Sequence, residues 1–343
     1  MDTQIVSGGL SAPARQEMER SASHLLGTDL LEILLLDHSR PKSGRKPAHI
    51  LWATDNYRDL GPAYAEDRQI TLETISGANG RVIQPRVCKT KEDQQARARD
   101  KGEVFSPSWI CNAQNNLIDK AWFGTEESPF NEESDKGWIT KQTPIPFPTG
   151  DGKTWQDYVK DIRLEITCGE APYLFSRYDA ITGDAIPIQD RIGILDRKLR
   201  VVSENARSKE EWMEAAKDAC KATYGYEWQG DSLLLARQNA LLSFIEHYRA
   251  RFTEDPAETL QQEIAEIISW NLWQMDGLKG VIPDSCHEDV HTEESLFGDD
   301  GAEIRIPCPG CASGNIRHHN GIYARIMDWE KGKPVRYVDL IKK

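Results

Sequence analysis

The stretch RLEITCGEAPYLFSRYD, residues 163–179, alternates apolar and polar side chains and then breaks into Cys168-Gly169-Glu170-Ala171-Pro172. Period-two alternation marks a strand, and a glycine directly after it permits a turn that other residues rarely enter. A buried strand needs covering elements, and the neighbouring segments supply them at helical spacing. TWQDYVKD (154–161) reads as a short helix, and SKEEWMEAAKDACKA (208–222) as a helix opened by a Ser208-x-x-Glu211 capping box. Residues 224–252 read as a strand, a turn and a long helix; 255–269 are a further helix, followed by the apolar run 270–280. Strands alternating with helices predict an α/β fold, a mostly parallel sheet with helices on both faces. There is no internal repeat.

Upstream, DLLEILLL (29–36) is a helical cluster, and AHILWATDNY (48–57) is an apolar run that turns polar, as a buried strand ending at a site would. Residues 70–88 suggest one or two strands around Gly77-Ala78-Asn79-Gly80. In 106–123 apolar residues fall at 109, 110, 113, 117, 118 and 121, a helical stripe with Ser106 as N-cap and Pro107 in the first turn. The linker 124–153 reads as irregular. These boundaries divide the chain into a mobile tail (1–28), a strand and helix region (29–102), a core (103–282) and a C-terminal Cys/His segment (283–343).

With 39% hydrophobic and 28% charged residues, the composition is that of a globular chain. No run reaches the roughly 18 apolar residues of a membrane span, and the opening stretch lacks the basic start and apolar block of a secretory signal. Seven scattered cysteines fit a reducing compartment, so a cytoplasmic location is expected. A net charge of −13 argues against nonspecific coating of nucleic acid. Two basic runs, RPKSGRK (40–46) and 81–101, are the candidates for backbone-phosphate contacts.

In open α/β sheets, ligands bind beyond the carboxyl ends of strands. Three strand-end candidates follow: Glu165 to Tyr173, where Gly169 lets the backbone approach a ligand; Gly225 to Trp228, where Glu227 could grip ribose hydroxyls and Trp228 stack on a base; and Asn271 to Asp276. In order and spacing, FSPSWI, EITCGEAPYL and YGYEWQGDSLLLARQNALLSF resemble the S-adenosylmethionine-binding motifs of adenine-specific DNA methyltransferases from restriction–modification systems. The matching positions are Phe105 and Pro107; Glu165, Cys168, Gly169 and Leu174; and Glu227, Ala236, Arg237 and Asn239.

The resemblance implies a Rossmann-like methyltransferase fold and S-adenosyl-L-methionine as cofactor, held by Phe105, Pro107, Glu165, Thr167, Cys168, Gly169, Glu227, Trp228, Asn271 and Asp276. Gly169 would leave room for the methionine moiety, Glu227 would accept from the ribose, and Phe105 and Trp228 would flank the adenine. It also implies double-stranded DNA as partner, with a restriction or specificity subunit. Two departures stand out: Ala171 where the family has a second glycine, and Glu165 where it has an aspartate. The family's Asn/Asp-Pro-Pro-aromatic motif is absent from the chain. Its nearest substitute is Asp55, Asn56 and Tyr57, which would accept from the amino group of an extruded base and stack on its ring. A protein without that motif could instead bind DNA or a partner subunit and transfer no methyl group.

Cys308 and Cys311, with Pro-Gly between them, form a C-x-x-C knuckle able to aim both thiolates at one ion. Of the remaining candidates (Cys286, His287, His291, His318 and His319), Cys286 and His287 complete the preferred set for a closed, structural zinc site that pins the C-terminal segment.

Overall fold

Apolar positions in residues 28–35 recur at three- and four-residue spacing, and this segment forms helix α1 (Thr28–Leu35), burying Leu30, Leu31, Leu34 and Leu35. The structure, a computed structural model, describes residues 26–41, 47–147, 153–292 and 303–341; most of the 1–28 tail lies outside them. From α1 the chain passes through α2 (Leu72–Ile75), α3 (Lys91–Lys101) and α4 (Ser108–Phe123) to an antiparallel hairpin, β1 (Asn131–Ser134) and β2 (Gly137–Thr140). Next come α5 (Trp155–Lys160), β3 (Arg163–Glu165), α6 (Ile194–Asn205), α7 (Lys209–Lys221), β4 (Thr223–Glu227), α8 (Gly230–Phe252), α9 (Glu258–Asn271) and β5 (Leu272–Gln274). The C-terminal part holds the pair β6 (Asp289–Thr292) and β7 (Glu303–Ile306), α10 (Pro309–Ser313), the pair β8 (Arg325–Asp328) and β9 (Lys333–Arg336), and α11 (Tyr337–Leu340).

Strands β3, β4 and β5 form a parallel sheet in consecutive order, so an α/β fold with a parallel sheet is observed. One face packs on the main core: a Cβ on Gly225 would stand 3.0 Å from Leu272 and 3.3 Å from Cys168 Sγ and Leu174. That core gathers Leu199, Trp212, Leu233 and Ile264 from the helices, and it also contains Leu31, Ile50 and Ile70, so residues before and after position 102 share it. The opposite face, Tyr224, Tyr226 and Trp273, meets Ala324 and Ile326, with Val335 and Tyr337 packed alongside. The C-terminal hairpin β8–β9 and the first residue of the short α11, rather than long helices, cover that side.

Three local expectations change. Residues 70–88 form α2 and single turns rather than strands, and the linker 124–153 contains the β1–β2 hairpin. The run 48–52 is largely buried, and among the described residues it forms no strand ladder but isolated bridges, Leu36 to His49 and Leu51 to Gln69. Its link to the sheet is the Gln274 amide, which accepts from Leu51 N (2.8 Å) and donates to Leu51 O (2.9 Å) and Trp228 O (2.8 Å). A second buried side chain ties the helices to the sheet edge. Arg237 of α8 donates to Leu34 O, Leu36 O, Ser269 O and Leu272 O at 2.6–2.9 Å.

Helix α4 is inverted relative to its apolar stripe. It starts after Pro107, with no side-chain cap from Ser106, and it buries Ser108, Cys111, Asn112, Asn115, Asn116 and Asp119, leaving Leu117 64% exposed. The cause is Arg197 of α6, which is 1% exposed and ion-paired to Asp119 at 2.5 Å. It also donates to Asn112 Oδ1 (2.8 Å) and Asn116 Oδ1 (2.9 Å). Removing one partner of a buried pair strands the other charge. Asp119→Ala should therefore cost about 3–5 kcal/mol of stability in urea unfolding, whereas Leu117→Ala should stay within about 0.5 kcal/mol.

Candidate functional site

A cavity of about 870 Å³ opens at the carboxyl ends of β3 and β4. Phe105, Glu165, Thr167, Cys168, Gly169, Glu227 and Trp228 all line it. The turn after β3 is tightly wound: Thr167, Gly169 and Ala171 take φ of +46°, +57° and +60°. Gly169 suits that conformation, and a Cβ there would come within 3.3 Å of the Phe105 ring. Ala171 holds the left-handed conformation that a second glycine would adopt freely, and it is fully buried.

Glu227 joins the two strand ends. Its Oε2 accepts from Gly169 N (2.8 Å), and its Oε1 accepts from Trp228 N (2.8 Å) and Gln229 N (3.1 Å). Burial raises its pKa, and the three N–H groups partly oppose that shift. Glu165 is held well above the usual carboxyl range, first by burial and further by Glu227, against donors at Tyr173 and Leu174.

Thr54 Oγ1, Glu103 Oε1, Asn115 Oδ1 and Glu165 Oε2, all on residues lining the cavity, are buried and lack a hydrogen-bond partner among the described residues. Buried polar atoms are ordinarily satisfied, so an unpaired cluster at one cavity calls for a ligand or water that supplies donors. Among the charged lining residues, Glu103, Glu165 and Glu227 outnumber Lys101, whose Nζ is already paired with Asp55 Oδ1 at 2.6 Å. Acceptor-rich and acidic, the lining suits a donor-bearing or cationic ligand better than a phosphate.

The other site expectations fall outside this cavity. Asn271 is at the end of α9, where its amide donates to Cys220 O, Lys221 O and Thr223 O and accepts from Trp329 Nε1, a purely internal role. Asp276 caps the turn after β5 through Leu278 N and Lys279 N, and Pro107 serves as the N-cap of α4. Ala53 and Thr54 reach the cavity, but the next three residues are engaged elsewhere. Asp55, half exposed, is kept below the usual carboxyl range by Lys101. Asn56 donates to Gln229 Oε1 (3.3 Å), and Tyr57 donates to Asp231 Oδ2 (2.7 Å) with its ring against Trp52. Much of the basic run 81–101 turns inward: Arg97 pairs with Glu103 and Asp231, Lys89 with Asp231, and Arg86 sits over the Phe105 ring. In the other run, residues 42–46 lie outside the described ones.

A second cluster could hold a metal ion. Cys286, Cys308, Cys311 and His319 bring their ligand atoms within 4.8 Å of one another. His319 Nδ1 lies 3.5 Å from Cys286 Sγ, 3.5 Å from Cys308 Sγ and 3.7 Å from Cys311 Sγ. Bond lengths of about 2.0–2.3 Å in a tetrahedron give ligand separations of roughly 3.5–3.8 Å. The fourth ligand is thus His319 and not His287, which is exposed and whose backbone is bound by Asn320. Gly310, between the two knuckle cysteines, is required sterically: a Cβ there would be 2.5 Å from the His319 ring.

No family model matches the chain, and neither the curated proteins nor the solved structures contain a match. Among the described residues no helix is long and apolar enough to cross a membrane.

Two outcomes follow from this geometry. Protein purified without chelator should carry about one metal ion per chain by elemental analysis; His319→Ala should lose it and His287→Ala keep it. Because Glu165 has a raised pKa, the folded chain retains a proton that the unfolded chain releases, and stability declines as pH rises above about 4.3. Glu165→Gln should abolish part of that decline, leaving the variant more stable than the parent at pH 7 and nearer to it at pH 4, as read by urea unfolding.

Proposed function

We propose that the protein is an S-adenosyl-L-methionine-dependent DNA methyltransferase, acting on adenine N6 in a restriction–modification or mobile-element system. On this reading β3 to β5 belong to a Rossmann-like methyltransferase core. The observation that carries it is the acceptor-rich cavity at the strand ends, with four unpaired oxygens beside Glu227 and Gly169. S-adenosylmethionine fits that lining: it brings a sulfonium, an ammonium, two ribose hydroxyls and an exocyclic amine, donors and positive charge where the protein offers acceptors. When bound, it supplies an electrophilic methyl group on sulfur.

The chain's own groups divide the binding task. Gly169 keeps the turn clear of a side chain, Glu165 offers an unpaired carboxyl oxygen, and Glu227 presents its remaining acceptor capacity to the ribose. Phe105 and Trp228 supply flat apolar surface for the adenine. For the Cys3His cluster we assign zinc, the usual occupant of a closed tetrahedral site of thiolates and imidazole. A reducing, cytoplasmic setting keeps such thiolates available.

One observation favours a second reading, in which the protein binds DNA or a partner subunit without transferring a methyl group alone. Tyr57, the candidate for stacking on a target base, spends its hydroxyl on Asp231 and its ring on Trp52. Among the described residues β3 is also an edge strand, and Ile162, Leu164 and Ile166 in and beside it are 71%, 42% and 63% exposed, a surface suited to a protein partner.

Calorimetry with S-adenosylmethionine, followed by tritium-labelled cofactor and duplex DNA, separates the readings. Binding with label transferred to DNA establishes the methyltransferase; binding without transfer supports the second reading; no binding overturns the S-adenosylmethionine assignment. Glu227→Ala should weaken binding about tenfold to a hundredfold, the loss expected for a charged hydrogen-bond acceptor.

A further inference from the structure

The metal-holding cluster and the cavity are joined by one short piece of structure. After β5 the chain turns at Asp276–Gly280, and residues 280–282 run antiparallel to 322–324. Ile282 N donates to Ile322 O (2.8 Å) and Ala324 N to Gly280 O (3.1 Å). Ser285 fastens the same pair from the side: its Oγ donates to Ile282 O (2.7 Å) and accepts from Ile322 N (3.0 Å). Farther along, Asn320 brackets His287, accepting from its N–H and donating to its carbonyl. Cys286 and His319 sit at this end, with Cys308 and Cys311 delivered by α10.

The other end of the pair is apolar. Ile282, 1% exposed, clusters with Leu51 and Ala53, and Trp228 and Ile322 pack against that cluster. Ala53 and Trp228 are cavity wall, linked by a 2.8 Å hydrogen bond from Trp228 Nε1 to Ala53 O. Ala53 has φ +58°, a conformation that costs a non-glycine residue free energy unless its surroundings enforce it. The run 48–53 lacks a strand ladder to do so: Trp52 N donates to Arg68 O (3.0 Å) and Ala53 N to Glu66 O (2.9 Å), both in a turn region, and on the side chain of Ala53 it is this apolar end that presses.

We propose that the metal-holding cluster is a positioning element for the cavity: one ion bound by Cys286, Cys308, Cys311 and His319 clamps the strand pair so that Ile282 and Ile322 hold Ala53 and Trp228 in the cavity wall. Without the ion, the three thiol groups share only the His319 imidazole, a weak hydrogen-bond partner, and the pair is secured by the hydrogen bonds above and the burial of Val281 and Ile282. The wall loosens while the main core, centred on α6 to α9, stays folded. Only the affinity part of the test rests on the proposed cofactor.

The experiment uses the full chain with its metal, the chain after treatment with 1,10-phenanthroline, and two variants that keep all four ligands, Ile322→Ala and Ile322→Leu. Amide hydrogen exchange is followed at Trp52, Ala53, Trp228 and Gln229, and at α8 as internal control; affinity is measured with S-adenosylhomocysteine. Metal removal should speed exchange at the wall amides about tenfold or more with α8 unchanged, and lower affinity about tenfold. Ile322→Ala should reproduce both effects at full metal content, and Ile322→Leu should restore parental behaviour. Should metal removal also open α8, the metal-loaded Ile322→Ala protein decides the matter. Unchanged wall exchange in that variant overturns the proposal, whatever the ligand does. Faster wall exchange in a protein that never binds S-adenosylhomocysteine leaves the clamp standing and removes the cofactor reading instead.

Discussion

The buried guanidinium of Arg237 is the interaction on which the rest of this architecture depends. At 1% exposure it has lost its hydration, and burial brings its pKa down to about 10. The charge survives because four carbonyls surround it, two where α1 ends and two where α9 passes into β5. Terminal helix carbonyls carry the negative end of the peptide dipoles and lack intrahelical donors, so the cation and the orphan acceptors satisfy each other. One side chain of α8 thereby fixes two helix ends and the start of a strand. Lysine could not replace it, since a single ammonium cannot fork to four directions.

From β5 the same logic reaches the cavity. The Gln274 amide takes the place of a strand ladder, holding Leu51 by both backbone groups and Trp228 by its carbonyl. Glu227 closes the next link by binding N–H groups of both strand-end turns. A turn with Thr167 and Ala171 at positive φ carries strain of order 1 kcal/mol or more at each residue. Such strain persists only where surroundings over-determine the backbone, and here a buried carboxylate does so from the neighbouring strand.

How much of this could be read in the chain depended on whether the signal was local. Alternation in 163–167 and the Cys168-Gly169 break were visible, as were α7, α8 and the clustering of Glu165, Gly169, Glu227 and Trp228 at strand ends. Helix α4 departs from its apolar stripe because hydrophobicity does not mark its inner face. Asn112, Asn115, Asn116 and Asp119 are themselves at helical spacing, and a periodic stripe of amides and one acid is a legible sign of a buried polar seam. Its partner Arg197 is far off in sequence, which no local pattern reveals. The same holds for Gln274 and Leu51. For the metal cluster, the knuckle was plain, but five Cys and His residues competed for the remaining places, and only the fold brings His319 rather than His287 to the thiols.

The cavity's two walls are rigid for different reasons, and this bears on what the site can do. On the β3 side the backbone is held by short-range hydrogen bonds, including Cys168 N to Tyr226 O at 2.9 Å and Ala171 N to Cys168 O at 2.7 Å. On the Ala53 side the wall is a segment fixed by backbone bonds from Trp52 N to Arg68 O (3.0 Å) and from Ala53 N to Glu66 O (2.9 Å), a glutamine amide, an indole hydrogen bond and an apolar contact with the C-terminal strand pair. Local unfolding draws on the least protected part of a structure, and the second wall's backbone partners, Glu66 and Arg68, lie in a turn rather than in the sheet. A ligand spanning both would gain affinity by tying the looser wall to the stiffer one, and its binding would be sensitive to anything that stiffens Ala53 and Trp228 beforehand. The unpaired oxygens, meanwhile, are contributed by both sides, Thr54 from the looser wall and Glu165 from the stiffer. A ligand that satisfies all of them must therefore bridge the walls, which couples recognition of its donor groups to closure of the cavity around it.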